Sequence, residues 1–169
     1  VHVSEIMFIT HLAPDNAVVA QRIAGIQAAL RHAHIMVFDT SSLKDPVAAI
    51  RKKVEESHCD TIVVLGPKSF NDYVKAVDLK KDATPVKNFV TFDLTQPIAN
   101  SISSGHTLFA IDQQPYLQGF YAVVNSDLFA KYKLYPVGSI MTGPQRVYAS
   151  MVDSILSLIH ISEPTRPSS

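Results

Sequence analysis

The sequence predicts an α/β protein: a doubly wound, mainly parallel sheet with helices on both faces. Three observations predict it. Short apolar runs recur as candidate strands at Ile6–Ile9, Ile35–Phe38, Thr61–Leu65, Lys87–Phe92 and Thr107–Ile111. The segments between them carry apolar residues at helical spacing. The connections are short, and unbroken apolar runs suit strands covered on both faces.

Each element has a local reason. The first strand ends at Thr10-His11, and Asp15 or Asn16 can cap the helix that follows. That helix presents Val18, Val19, Ile23, Ile26 and Leu30 at helical spacing. The second strand ends at Asp39-Thr40-Ser41-Ser42. Asp45-Pro46 then reads as N-cap and first residue of a helix with Val47, Ile50 and Val54 inward. The third strand stops at Gly66-Pro67, and Ser69 to Lys80 is expected to be helical. The fourth strand closes at Asp93. A short helix spans Pro97 to Ser103, with Gly105 as its C′ residue. After the fifth strand the chain turns polar at Asp112-Gln113-Gln114. It becomes helical again from Pro115, and Pro136 to Gly143 reads as a terminal strand or extended segment. Tyr148 to Leu158 has the periodicity for a helical turn or two. The same strand–helix rhythm occurs in many unrelated domains, so it supports a fold and not a function.

Composition narrows the function. The chain has 169 residues, enough for one domain, and its 47% apolar content supports a real core. Fifteen basic and 15 acidic residues balance, and no long basic run suggests nucleic acid. The single cysteine, Cys59, cannot form an internal disulfide and reads as an inert, half-buried thiol. No run approaches the length of a membrane span. The chain begins almost directly in a strand, with no signal peptide visible.

In a parallel sheet the carboxyl ends of the strands gather on one edge, where ligands bind. Here those ends carry His11, Thr40-Ser41, Gly66-Pro67, Asp93 and Asp112-Gln113. A polyhydroxylated ligand suits such an edge. One carboxylate can accept from two neighbouring hydroxyls, and a guanidinium supplies a fixed fork of donors. Other chemistries lack their parts. His32 with His34, and His58-Cys59-Asp60, do not have the spacing of a metal site. There is no G-x-S-x-G elbow and no glycine-rich phosphate loop after the first strand. Asp93 and Asp112 could be imagined as a carboxylate pair, but nothing else builds a reaction centre. The reading is a binding protein without enzyme activity and without a cofactor.

Leu108 to Val124, LFAIDQQPYLQGFYAVV, with TFDL upstream, resembles the type I periplasmic sugar-binding proteins, the two-lobed receptors of ABC importers. The resemblance implies that residues 1–112 form the carboxy-terminal lobe. It implies that 113–147 are the hinge and the segment returning to an amino-terminal lobe that this sequence does not contain. It implies a small sugar or polyol as ligand, a membrane permease as partner, periplasmic location and hinge closure on the ligand. It implies binding roles for Asp93, matching the T-F-D aspartate, for Gln113 at the lobe crossing, and for Arg22, followed by Gly25 three residues on. Asp93 could instead cap the next helix. Asp112 is expected either to contact ligand or to polarise the hinge, and Gln114 to bond to backbone. His11 and Asn16 are weaker candidates that could equally serve the helix start. Thr40, Phe38 and Phe70 are possible wall residues, though Phe38 better suits the core, and Gly25 is expected to allow close helix–sheet packing. Many relatives place an asparagine after the third strand, where this chain has Leu65-Gly66-Pro67, a departure that removes one expected polar contact. The helix after Pro115 is expected to expose an apolar face over 116–129, open to non-native self-association. Residues 157–167 resemble a translated sequencing adapter, so 148–169 reads as a tail outside the evolved protein. Two rivals share the fold: the ligand-sensing domain of a LacI-like transcription regulator, and that of a membrane sensor kinase or chemoreceptor.

Overall fold

The computed structural model describes residues 3–77 and 86–161. The elements, in order, are β1 Glu5–Thr10, α1 Ala17–Ala29, β2 His34–Asp39, α2 Pro46–Glu56, β3 Thr61–Val64 and α3 Gly66–Ala76. They continue with β4 Asn88–Phe92, α4 Gln96–Ser103, β5 Phe109–Asp112, α5 Pro115–Tyr132, β6 Gln145–Val147 and α6 Ala149–Ile161. One sheet has the order β2-β1-β3-β4-β5-β6. All neighbours are parallel except β5 and β6, which are antiparallel with Ala110 opposite Val147.

The strands form where the apolar runs predict. β3 and β4 are buried at every position, as central parallel strands covered on both faces require. β2 lies at the edge, and its residues are exposed or half-buried, none fully buried. Helix starts follow the capping residues. Asn16 caps α1, its side chain accepting from the Val18 amide at 2.9 Å. Asp45 caps α2, accepting from the Ala48 amide at 3.0 Å, with Pro46 in the first turn. Gly105, at φ 78°, follows the C-cap of α4 and turns the chain in the left-handed region where a glycine is least strained.

The two faces of the sheet are packed unequally. Met7, Ile62, Val64 and Phe89 face a core filled by Ile50 and Val54 of α2, Phe70 and Tyr73 of α3, Ile98 and Ile102 of α4, and Val152 of α6. The opposite face, with Ile6, Phe8, Val63 and Phe92, is covered by Val19, Ile23 and Ile26 of α1. Tyr73 lies 4.5 Å from Phe89 between ring centroids, and Phe70 stacks on the same ring at 5.7 Å.

Several details differ from expectation. α3 begins at Gly66, three residues early, and ends at Ala76; Asp78 to Lys80 lie outside the described residues. No strand forms over 136–143. Instead the three-residue β6 joins the sheet beside β5, without an apolar run to announce it. α6 is longer than a turn or two: Val152 is buried and Met151, Ile155 and Leu156 pack on the main core. Residues 162–167 of the adapter-like stretch lie outside the described residues. Cys59 is buried rather than half-buried, and burial raises its thiol pKa. α5, 18 residues long, has no buried residue, and Tyr116, Phe120, Val123, Leu128, Phe129 and Tyr132 are exposed on it. Among the described residues no helix is long and apolar enough to cross a membrane.

Candidate functional site

Parallel pairing brings the ends of β1, β3, β4 and β5 to one edge, and Asp93 and Gln113, which follow β4 and β5, meet there. Asp93 is the centre. It stands one residue past β4 at φ 65°, a left-handed conformation uncommon outside glycine. Its amide donates to the Ile111 carbonyl at 2.8 Å, which holds that turn against β5. Gln113 Nε2 donates to Asp93 Oδ1 at 3.0 Å. Arg22 Nη2 lies 3.7 Å from the same oxygen. The guanidinium carbon of Arg22 sits 4.2 Å from the centroid of the Phe92 ring. Three residues distant in sequence thus converge: one from α1, one from the tip of β4, one from the exit of β5. Asp93 does not cap α4, whose N-cap is Thr95.

Electrostatics suit a neutral polar ligand. Burial lowers the pKa of Arg22 and the neighbouring Asp93 opposes that shift, so the guanidinium stays charged beside its carboxylate. Asp112 is buried, and burial raises its carboxyl pKa; the Gln113 and Gln114 amides pull it down, while Asp93 pushes it up. Asp112 and Asp93 line one small pocket of about 190 Å³ with Leu94, Gln113, Pro115 and Gln118. A wider groove of about 600 Å³ adjoins it on the α1 side, lined by Arg22, Ile26, Phe92, Ile111, Gln113 and Pro144 among others. Gln113 belongs to both.

His11 Nδ1 lies 3.1 Å from Ser69 Oγ. Burial lowers the His11 pKa, and nearby Lys68 lowers it further. Ser69, in the first turn of α3, was not among the candidates, and no motif marks it. It orients His11 by sharing that hydrogen bond.

The remaining candidates are occupied locally. The Asn16 side chain serves as the α1 cap. Thr40 is buried and its hydroxyl donates to the Thr10 carbonyl at 3.0 Å, tying the ends of β1 and β2 together. Phe70 and Phe38 pack with the main core. Gly25 does not permit close packing: a Cβ there would meet nothing within 4 Å. Gln114 bonds to backbone as expected, its side-chain amide donating to the Thr142 carbonyl. The Thr142 hydroxyl donates to the Gln113 carbonyl at 3.2 Å, and Gln118 Nε2 donates to it at 3.0 Å. The exit from the sheet and the return to it are stitched together here.

No protein-family model matches the sequence, and no curated protein matches it. Solved structures do match. A carbohydrate transporter of Acidothermus cellulolyticus 11B, in complex with myo-inositol, is similar with a TM-score of 0.73 and 21% identity, over 92% of this chain and 55% of that one. The arabinose-binding protein AraP of Geobacillus stearothermophilus is similar with a TM-score of 0.72 and 13% identity, over 90% of this chain and 56% of that one. A putative LacI transcriptional regulator of Bacteroides fragilis is similar with a TM-score of 0.68 and 14% identity, over 90% and 55%. This chain therefore spans little more than half the length of the structures it matches. Its fold is that of a single lobe of a two-lobed type I periplasmic binding protein.

Proposed function

We propose that this chain is the sugar- or polyol-binding lobe of a periplasmic receptor that delivers its ligand to the permease of an ABC importer. The observation that carries the reading is the meeting of Arg22, Asp93 and Gln113 at the carboxyl edge of the sheet. Together they offer a charged acceptor, a forked donor and an amide with both functions. That is the equipment for hydroxyl groups and not for bond making or breaking. The structural likeness to proteins described as transporting or binding carbohydrates supports the same reading. In this reading residues up to Asp112 build the carboxy-terminal lobe. The segment from Gln113, with α5, leads to a second lobe and returns through β6, and the ligand closes the two lobes about the crossing.

A titration followed by protein NMR tests it, using neutral pentoses, hexoses and inositols. Half a cleft lacks the opposing contacts, so we expect binding no tighter than about millimolar. The Gln113 side-chain amide should shift, and Asp93→Ala and Arg22→Ala should abolish the shift. No response to any sugar or polyol would sink the reading. Micromolar binding would overturn its single-lobe part. A second reading, the sensing domain of a transcription regulator, is favoured by the Bacteroides fragilis match. Recovery of a DNA-binding helix-turn-helix upstream in the source DNA would select it; a secretory signal peptide would select transport.

A further inference from the structure

We propose that Gly66 is the positioning residue for the Asp93 carboxylate, and that its missing side chain keeps one oxygen of that carboxylate open to the ligand. The inference rests on the binding role of Asp93 for its second half, and on geometry alone for its first.

The two oxygens of Asp93 differ. Oδ1 receives Gln113 Nε2 at 3.0 Å and faces Arg22 Nη2 at 3.7 Å. Oδ2 has no hydrogen-bond partner among the described residues and points toward the end of β3. There it meets Gly66. A Cβ built on Gly66 would lie 2.9 Å from Oδ2 and 3.9 Å from the carboxyl carbon. A carbon–oxygen approach of 2.9 Å is inside van der Waals contact, so any side chain at 66 must push the carboxylate aside. Asp93 has little freedom to yield. Its backbone is held in the left-handed region at φ 65° and its amide is tied to Ile111. The carboxylate could move only by rotating away from Gln113 and Arg22, which breaks the cluster.

Gly66 is itself at φ 68°, where a side chain is strained. The backbone cost and the clash are separate effects, and only the second runs through Asp93. Two neighbouring strand tips in left-handed conformation, one bare and one acidic, thus make a notch beside Oδ2. A ligand hydroxyl can donate to Oδ2 there while the Oδ1 side stays braced by the protein.

A double-mutant cycle on the whole chain decides the first half without any ligand. The variants are Gly66→Ala, Asp93→Ala and the pair, read by urea midpoint and by the NMR position of the Gln113 side-chain amide. We expect Gly66→Ala to move the Gln113 amide signal in the Asp93 protein and to leave it unmoved in the Asp93→Ala protein. We expect Gly66→Ala to lower the urea midpoint less when Asp93 is already alanine. If Gly66→Ala does not fold, the pair should fold. Additive midpoints, an amide shift that persists without Asp93, or a pair as unfolded as Gly66→Ala would each overturn the proposal. The second half is read with myo-inositol and arabinose as probes: Gly66→Ala should weaken binding at least tenfold. If the unaltered chain binds neither, the proposed function fails while the cycle still decides the positioning role. If both chains bind equally, the notch is wrong even where the cycle couples.

Discussion

α4 and α5 are both helices with many apolar residues, yet they live in different surroundings. α4 is eight residues long and buries Ile98, Ala99, Ser101 and Ile102. α5 is 18 residues long and buries none. Each carries a proline in its first turn. Burial is a property of what lies opposite. α4 faces the sheet and α6, whereas on α5 Tyr116 stacks on Phe120 and Phe129 meets Tyr135, beyond the helix end, edge to face. Helix formation and helix docking are thus separable, and α5 has completed only the first.

The sharpest way to break this contrast is truncation of matched side chains. Ile98→Ala should cost about 2–5 kcal/mol, because it removes buried methyl groups and leaves a cavity. Phe120→Ala should stay within about 0.5 kcal/mol, as exposed positions do. Urea unfolding followed by circular dichroism measures both; equal costs would show that α5 is docked.

Self-association is the next largest effect expected. The apolar residues along α5 should draw copies together as concentration rises. Sedimentation velocity across a concentration series reads it, and Val123→Lys with Phe129→Lys should return the chain to monomer. A chain that stays monomeric throughout would mean that the apolar side chains of α5 satisfy one another.

Capping separates the two regions more finely. Asn16→Ala should lower global stability by about 1 kcal/mol, since α1 belongs to the packed part. Gln114→Ala removes a bond between the α5 start and Thr142. It should raise hydrogen exchange within α5 and leave the urea midpoint of the sheet unchanged. If Gln114→Ala lowers the global midpoint, α5 is part of the cooperative unit.

The smallest effect is a pH slope belonging to the packed part. His11 has its pKa lowered by burial, so the unfolded chain binds a proton more readily than the folded one. Its contribution is therefore complete above the ordinary histidine value and is lost as pH falls below about 6.5. His11→Gln should flatten the loss of stability between roughly pH 7 and 5. An unchanged slope would place the responsible group elsewhere. Asp112 acts in the opposite sense: its raised pKa lends stability at low pH that fades as pH climbs past the usual carboxylate range.

Much of this was legible in the residues. Apolar runs announced β1 to β5, and Asn16 and Asp45 announced helix starts because a short polar side chain can satisfy an open amide. The convergence of Asp93 and Gln113 was legible by two routes: polar residues at strand tips gather on one edge, and the T-F-D and IDQQPYLQG stretches resemble a known family, a resemblance that also pointed to Arg22 on α1. What stayed hidden has physical causes. Thr40 was read by its place at a tip, but a hydroxyl also suits a neighbouring carbonyl, and Thr10 supplied one. Gly25 was read as a packing glycine, though its helix turns that position to open space. β6 carries Gln145 and Arg146 and takes its register from β5, so it had no pattern of its own. The pairing of His11 with Ser69 joins residues 58 apart in sequence and follows from how β1 and α3 meet.

The crossing has a mechanical consequence. Two passages of backbone, at Gln113–Gln114 and at Thr142, run side by side and are laced by side-chain bonds in both directions. A single strand of chain would let whatever α5 carries swivel freely. Two laced strands behave as a strap: compliant to folding across its width, stiff to twisting along its length. In the proposed reading this lacing would steer motion of α5 against the sheet onto one arc, with Gln113, whose side chain holds Asp93 while its carbonyl anchors the lacing, at its root.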